Sequence, residues 1–227
     1  MSTAKNSGNC YLCGKTVNKT AMKNHIVKEH SSGGEEECVL LKIEGAYEKN
    51  YWLYVDMPKK STLSSLDGFL RAVWLECCGH MSEFSTGSHR NRTFQVIPKS
   101  RKAGSFSMGE TFLHEYDMGS TTECLVTFIG STMRKKQKNA VRLIGRNEPQ
   151  TYKCNSCEEP AEFICDICMY EIDNPHFCEK CVGEHESECG GAILTIANSP
   201  RSGVCAYDGE MDSYVFDPGI FEGRKAK

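Results

Sequence analysis

The pattern of apolar and polar positions predicts a pair of strands followed by one long helix. Two apolar-rich runs, 38–44 and 51–57, are separated by a short polar turn and have the composition of paired β-strands. Apolar residues then recur at steps of three and four over 63–77, which predicts a helix with one apolar face, and Thr62 precedes it as an N-cap. Gly79 suits the end of this helix. Three charged residues are expected to lie off the apolar face: Asp67, Arg71 and Glu76.

Shorter strand patterns follow, separated by glycine, serine and proline. They fall around 82–86, 93–97, 124–129 and 140–144. The last stretch, 191–227, has strand and turn character and is expected to return to the core. Together these elements predict an α+β fold, with a central mixed or antiparallel sheet and one main amphipathic helix.

Composition indicates the cellular compartment and the class of protein. The chain has 227 residues, 14 cysteines and a formal net charge of -3, and its hydrophobic content of 39% is enough for a packed core. No apolar run approaches the roughly 18 residues of a membrane helix. The polar start of the chain lacks the apolar segment of a secretion signal. We therefore expect a cytoplasmic protein that enters no membrane and whose cysteines bind metal rather than pair as disulfides.

The first thirty residues have the ligand spacing of a ββα zinc finger. Two cysteines two residues apart are followed by two histidines five positions apart, which lie on nearly one helix face and can reach one ion. Val17 and Met22 fall where such a finger needs its small apolar core. A unit this short depends on zinc, which contributes roughly 10–16 kcal/mol of apparent free energy. The four ligands of this C2H2 finger are Cys10, Cys13, His25 and His30.

The sequence leaves open what this finger contacts. Its usual base-reading positions hold Asn18, Ala21 and Asn24, none of which is the arginine that most often reads guanine. Four lysines are candidates for phosphate contacts: Lys15, Lys19, Lys23 and Lys28. A structural or protein-binding finger is the equal alternative.

A second cluster supplies eight metal ligands within residues 154–189. Eight ligands suffice for two tetrahedral zinc ions, which brings the expected total to three. The short spacer between the first two cysteine pairs favours a crossed arrangement, although sequential pairing stays open. In the crossed arrangement one ion takes Cys154, Cys157, Cys178 and Cys181, and the other takes Cys165, Cys168, His185 and Cys189.

This cluster resembles the B-box and MYND-type cross-brace modules, which are mainly protein-interaction units. The resemblance covers about forty residues and lies in the string FCEKCVGEH, with Cys189 after it. Every ligand position is filled by a protein side chain, so no coordination position is left for a reactive water. The cluster is therefore expected to have a structural role.

The segments of the chain differ strongly in charge. Residues 151–190 carry ten acidic side chains and two lysines, and such a module should repel a phosphate backbone. Residues 1–32 carry five lysines and one glutamate. Two central stretches are also basic, and they are either solvated loops or nucleic-acid contacts. The first contains Arg90, Arg92, Lys99, Arg101 and Lys102, and the second contains Arg134, Lys135, Lys136, Lys138, Arg142 and Arg146.

Five strings in the centre of the chain occur in a distinctive order. They are YWLYVDM (51–57), FLRAVWLECCGHMSEF (69–84), EYDMGSTTE (115–123), RNEP (146–149) and NSPRSGVCAY (198–207). Together with the cysteine cluster they resemble the Ri-plasmid ORF-three-like family, also described as insertion-element passenger TnpR-like, over about residues 38–210. The resemblance implies an α+β domain in bacteria, archaea or their mobile elements. It implies no established reaction, and we find no recombinase nucleophile to carry over.

None of the remaining thiols and imidazoles is predicted to be a catalytic residue. Cys77 lies on the apolar helix face, where a buried cysteine is common. Cys78, His80, His114 and Cys205 are a weaker candidate for another metal site. The loop with His114 and Asp117 offers acid–base groups, but no carboxylate pair, phosphate loop or nucleophile elbow accompanies them. Two further lone cysteines are expected in strand cores: Cys38 and Cys124.

The sequence thus predicts four units and three candidate functions. The units are a finger over 1–32, an α+β core over 33–150, a two-zinc cross-brace module over 151–190 and a C-terminal segment over 191–227. The first function is a zinc-binding adaptor that recognises a protein partner, with nucleic acid as a further partner. The second is a DNA-binding accessory protein of a mobile element or defence system. The third is a hydrolase or nuclease that uses His80, His114 or Asp117.

Overall fold

The computed structural model describes residues 6–87 and 94–221. The fold is α+β, as expected, with one large sheet, one small sheet and few helices. Within these ranges the twelve strands are β1 (Ser7–Cys10), β2 (Thr16–Asn18), β3 (Glu36–Gly45), β4 (Trp52–Pro58), β5 (Ser82–Ser85), β6 (Val96–Ile97), β7 (Thr111–Tyr116), β8 (Thr122–Arg134), β9 (Arg142–Asn147), β10 (Phe163–Cys165), β11 (His176–Phe177) and β12 (Ile193–Thr195). The α-helices are α1 (Lys19–His30), α2 (Leu63–Leu70), α3 (Cys168–Glu171) and α4 (Glu179–Cys189).

The large sheet is antiparallel and has the order β2-β1-β9-β4-β3-β8-β7-β5-β6. The small sheet has the order β11-β10-β12. Strands β3 and β4 form the hairpin that the sequence predicts. Strand β7 was not predicted, because five of its six residues are buried and the polar–apolar alternation of a half-exposed strand is therefore missing. None of the helices in the described ranges is long and apolar enough to span a bilayer.

The main helix is shorter than its apolar pattern suggests. Thr62 is the N-cap residue, but its side chain makes no capping hydrogen bond. After α2 the chain continues as a π-helical turn, Arg71–Leu75, and leaves the helix at Glu76. The apolar face is buried against the sheet, as its periodicity predicts. Asp67 departs from the expectation: it is buried, because Ser82, Lys99 and His114 surround its carboxylate with hydrogen-bond partners.

The N-terminal finger is joined to the large sheet. Strand β1 pairs with β9, so the finger hairpin becomes one edge of the nine-stranded sheet. Contact is close at Gly8, where a Cβ atom would lie 2.2 Å from the Arg146 carbonyl oxygen and 2.4 Å from the Trp52 ring. On α1, Met22 and Ile26 are fully buried and belong to one cluster with Leu40, Trp52, Tyr54 and Ile144.

The C-terminal segment contacts both the small sheet and the main helix. Strand β12 pairs with β10. The Ser199 hydroxyl donates to the Trp74 carbonyl at the end of the main helix, at 2.6 Å. Further along, the Tyr214 ring packs edge-on against Phe69, with centroids 5.1 Å apart. These contacts hold residues 193–195 against the small sheet and hold Ser199 and Tyr214 against the main helix.

Candidate metal centres

The structure brings the four finger ligands to one point. Cys10 lies at the end of β1, Cys13 in the turn after it, and His25 and His30 on α1. The ligand atoms all lie within 4.8 Å of one another. Cys10 Sγ is 3.5 Å from His30 Nε2, and Cys13 Sγ is 3.4 Å from His25 Nε2. The knuckle is closed by a hydrogen bond from the amide of Gly14 to the Cys10 carbonyl, and Gly14 has a φ of +76°.

These separations have the size of the edges of a zinc tetrahedron. With Zn–S of about 2.3 Å and Zn–N of about 2.05 Å, tetrahedral geometry separates two sulfurs by about 3.8 Å and a sulfur from a nitrogen by about 3.6 Å. A disulfide would instead bring two sulfurs to about 2.05 Å. None of the 14 cysteines, all of which lie in the described residues, forms a disulfide. The finger ligands therefore have the spacing of a metal site.

The electrostatics of the finger site favour a neutral imidazole pair. Burial lowers the pKa of His25, and the nearby Lys15 lowers it further. Burial likewise lowers the pKa of His30, together with the charge of His25. A neutral ring keeps the lone pair that a metal needs. Burial raises the pKa of Cys10 to about 11, so a cation is needed to stabilise its thiolate.

The eight ligands of the second cluster fall into two sets. One set is Cys154, Cys157, Cys178 and Cys181, and the other is Cys165, Cys168, His185 and Cys189. This is the crossed grouping, not the sequential one. It follows from α4, which begins after Cys178 and carries Cys181 for one set and His185 and Cys189 for the other.

Distances within both sets again match tetrahedral edges. Cys157 Sγ lies 3.7 Å from both Cys178 Sγ and Cys181 Sγ. In the other set, Cys189 Sγ lies 3.8 Å from Cys165 Sγ and 3.6 Å from Cys168 Sγ. A zinc site of this kind needs about 3.8 Å between sulfurs. Both sets are made entirely of protein ligands.

Neighbouring groups orient the ligands of this module. The His185 ring stacks on Phe177, with centroids 3.9 Å apart and an interplanar angle of 16°. Burial raises the pKa of Cys154, but the backbone amides of Cys178, Ser156 and Cys157 outweigh it and bring this pKa down to about 6. Amide donors of this kind favour the thiolate, which is the form that binds metal.

The finger lysines differ in their surroundings. Lys15, Lys23 and Lys28 are exposed. Lys19 instead lies 2.6 Å from the Glu44 carboxylate on β3, so its charge is neutralised within the chain. The three base-reading positions on and beside α1 are all exposed: Asn18, Ala21 and Asn24.

Some residues of the second basic stretch form ion pairs within the fold. The Arg134 side chain is fully buried and donates to Asp56 at 2.9 Å. Lys135, Lys136 and Lys138 are exposed, and the first two line a groove shared with the acidic residues 35–37. Arg142 pairs with Asp56 and Arg146 with Asp212. Two arginines of the other basic stretch, Arg90 and Arg92, lie outside the described residues.

The candidate acid–base groups do not form one open site. His114 is fully buried, and its Nε2 lies 2.8 Å from the Asp67 carboxylate. Asp117 accepts a hydrogen bond from Arg201 at 2.8 Å. His80 lies beside Cys78 and Cys205, so the weaker ligand set gathers without His114. Cys77 takes that fourth place, because the helix ends at Leu75 and the side chain, which still packs partly against the main core, turns toward Cys78.

Comparisons with known proteins identify no function. No family model matches the chain, and no curated protein matches it. Among solved structures, a protein of unknown function from Methanosarcina mazei Go1 is similar to this chain. The two are 16% identical, with a TM-score of 0.40 over 52% of this chain and 70% of that chain. Several Cys/His clusters can thus bind metal, which makes zinc binding the property best supported by the site.

Proposed function

We propose that this protein is a cytoplasmic adaptor whose zinc ions hold a protein-binding surface in shape. The two-metal module, residues 151–190, provides that surface. Zinc acts as scaffolding in this function, because each ligand set is complete without water or substrate. The partner is a protein with a basic surface that includes apolar side chains.

The observation that carries this proposal is an exposed apolar patch on the acidic module. Tyr170 lies on the short helix α3, which Ile167 precedes and Ile172 follows, and the exposed fractions of Ile167, Tyr170 and Ile172 are 41%, 69% and 42%. Glu171 and Asp173, which are exposed as well, stand beside them. Aromatic and aliphatic anchors inside a charged rim are typical of protein–protein contacts.

Charge indicates the chemistry of the partner. The ten acidic residues of the module outnumber its two lysines. On α4, which has no buried residue, Glu179, Glu184, Glu186 and Glu188 are all exposed. Thiolates bound to two zinc ions would add further negative charge. A partner with lysine and arginine side chains would meet this surface with complementary charge.

Capture from the native host, with nuclease treatment of the lysate, tests the proposal. The retained protein is then purified, and its affinity is measured for the full chain and for the double variant Tyr170→Ser, Ile172→Ser. We expect the double variant to bind at least about tenfold more weakly, because exposed aromatic anchors often contribute 1–2 kcal/mol or more.

The matched control is Met108→Ser, which removes an equally exposed apolar side chain from the α+β core. Its affinity should equal that of the unchanged protein. Retention of nucleic acid alone, or equal affinity of the double variant, would refute the protein-adaptor function.

A second function is favoured by the exposed outer face of α1. Asn18, Ala21 and Asn24 are open to solvent, and Lys15, Lys23 and Lys28 lie around them. DNA binding by an accessory protein would use these groups. A role in a mobile element or a defence system follows only from the resemblance of residues 38–210 to the Ri-plasmid ORF-three-like family, and it stays a proposal.

Salt dependence tests DNA binding. Affinity for duplex DNA should fall steeply with salt, and Lys23→Glu, Lys28→Glu should lower the slope of log affinity against log salt by about two. Lys135→Glu, Lys136→Glu should have a smaller effect, because residues 35–37 already place acidic groups in the same groove. An affinity that does not change with salt concentration, or the absence of binding at low salt, would eliminate this function.

A further inference from the structure

A fourth group of metal-ligand side chains lies outside the finger and the two-metal module. It consists of Cys77, Cys78, His80 and Cys205, whose ligand atoms lie within 4.8 Å of one another. The first three leave the end of the main helix, and Cys205 comes from the C-terminal segment. The group therefore joins two parts of the chain that are 125 positions apart in sequence.

Its internal distances resemble those of the other three groups. Cys78 Sγ lies 3.7 Å from both Cys77 Sγ and Cys205 Sγ, close to the edge of about 3.8 Å expected for a tetrahedral zinc thiolate. His80 Nε2 lies 3.3 Å from Cys205 Sγ and 2.9 Å from Cys78 Sγ, so the imidazole is closer to the thiols than the tetrahedral edge of about 3.6 Å and would move outward on a bound ion. Three sulfurs and one imidazole nitrogen make up a common structural zinc set.

The backbone around this group adopts conformations that ordinary side chains rarely take. Cys205 has a φ of +52°, Ala206 has a φ of +57°, and Asp117 has a φ of +66°. Among residues 6–87 and 94–221 these are the only residues other than glycine with positive φ. Such conformations cost free energy and persist where the surrounding structure enforces them. A bond from Cys205 to a metal would supply that constraint.

Buried polar groups beside the four ligands also favour a metal centre. The Arg201 side chain is fully buried, and its Nη2 lies 3.5 Å from Cys77 Sγ and 2.8 Å from Asp117 Oδ2. Three thiolates on a divalent ion leave one net negative charge, which the guanidinium would offset. Outer groups of this kind commonly orient and neutralise metal ligands.

We propose that Cys77, Cys78, His80 and Cys205 form a fourth metal centre, for zinc or a similar thiolate-binding divalent ion. This centre fastens the C-terminal segment to the end of the main helix. It differs from the other three in two respects. Its ligands come from distant parts of the sequence, and two of them, Cys78 and Cys205, are exposed. It does not depend on the adaptor function.

Metal content of the full chain is the first test. The protein purified with zinc should contain four ions per chain, and Cys78→Ser, Cys205→Ser should contain three. The matched control is Cys38→Ala, which removes a buried thiol outside all four groups and should retain four ions. Three ions in both the unchanged protein and the double variant would refute the fourth centre.

Thiol protection is the second test, and it does not need a variant. Cys78 and Cys205 are exposed, so as free thiols they would react readily with an alkylating reagent. With metal bound we expect each to react at least about tenfold more slowly than after chelation, as measured by peptide mass mapping. Equal rates before and after chelation, or a Cys78–Cys205 cystine in freshly purified protein, would overturn the proposal.

Discussion

The finger and the two-metal module are built on the same chemistry but differ in what supports them. The finger buries Met22 and Ile26 in a cluster with Trp52 and other residues of the large sheet. The corresponding cluster of the module consists of Phe177 and four metal ligands: Cys154, Cys165, Cys168 and Cys178. Helix α4 of the module buries no residue. The apolar contacts that stabilise the finger are thus largely replaced by ligands in the module.

This difference changes what loss of metal should do. From sequence, both units are expected to unfold without zinc. The structure refines that expectation, because β1 of the finger is hydrogen-bonded to β9 of the large sheet. A unit that shares a core with the rest of the protein keeps part of its stability when its ion leaves. A unit whose core consists of its metal ligands loses that stability when the ion leaves.

The largest effect should come from removing a ligand of the module. Cys165→Ser should release about two ions and expose residues 151–195 to exchange, because α4 holds ligands of both sets. A structural zinc contributes roughly 10–16 kcal/mol of apparent free energy, which nothing else in the module replaces. Metal analysis and hydrogen exchange measure both outcomes.

The control is Cys13→Ser in the finger. It should release one ion and leave β1 protected by its pairing with β9. If residues 6–31 lose protection as completely as the module does, the shared core does not stabilise the finger.

The next largest effect tests the shared core directly. Met22→Ala should lower the free energy of unfolding of the whole large sheet by about 2–5 kcal/mol, the usual cost of a core Met→Ala change. Denaturant unfolding followed by tryptophan fluorescence measures it. The control is Val27→Ala on the same helix, where 46% of the side chain is exposed and the change should stay within about 0.5 kcal/mol. Equal midpoints for the two variants would contradict a common core.

A third prediction separates acid effects on the core from acid release of metal. Burial lowers the pKa of His114, so below about pH 6.5 the unfolded chain binds a proton that the native chain resists. His114 therefore stabilises the protein above this pH, and its contribution declines as the pH falls. Burial raises the pKa of Asp67, but donors including His114 outweigh it and hold it well below its usual range, so that carboxylate weakens the fold only in stronger acid.

Between pH 6.5 and 4.5 we expect His114→Gln to flatten the dependence of unfolding free energy on pH by up to about 1.4 kcal/mol per unit. Denaturant titrations at several pH values, with metal content measured in parallel, provide the test. A slope unchanged by the substitution would show that metal release alone accounts for acid sensitivity.

The smallest effect concerns an exposed ion pair beside the Cys154–Cys157 knuckle. Lys153 pairs with Glu158, and the two side chains are 54% and 86% exposed. Because such pairs contribute about 0–1 kcal/mol, Lys153→Ala should leave the metal content unchanged and shift stability only slightly. A loss of metal in this variant, measured by elemental analysis, would mean that the ligands alone do not hold the module.

The metal ligands of the finger and the module could be predicted because their spacing is local. Two cysteines two residues apart need only a tight knuckle, and the histidines at 25 and 30 need only one helix. The short spacer between Cys157 and Cys165 favoured the crossed grouping but left sequential pairing open, and the structure groups the ligands in the crossed way. None of these inferences required knowledge of how distant strands pair.

The fourth ligand group was only partly visible because it depends on where a helix ends. The apolar periodicity runs through Cys77, but the chain leaves the helix after Leu75. Cys77 therefore turns toward Cys78, and His114 stays in the core with Asp67. Cys205 was named from the sequence, but the exchange of His114 for Cys77 depends on tertiary packing that no local pattern indicates.

Two cations that were expected to be free at the surface form ion pairs with carboxylates on distant strands. Lys19 faces Glu44, and Arg134 is buried against Asp56 on β4. In the sequence both look like free surface cations, because the carboxylates opposite them lie 25 and 78 positions away. Only the arrangement of the sheet brings these partners together.

The pairing of β1 with β9 also constrains the order of events during synthesis. All four finger ligands precede β3 in the chain, so this site can take up its ion before the rest of the large sheet is made. Its edge of the sheet cannot dock until residues 142–147 have emerged, because Gly8 pairs with Asn147. Until β9 has formed, β1 lacks its strand partner, so the nascent finger depends more strongly on its metal than the finger of the finished protein does.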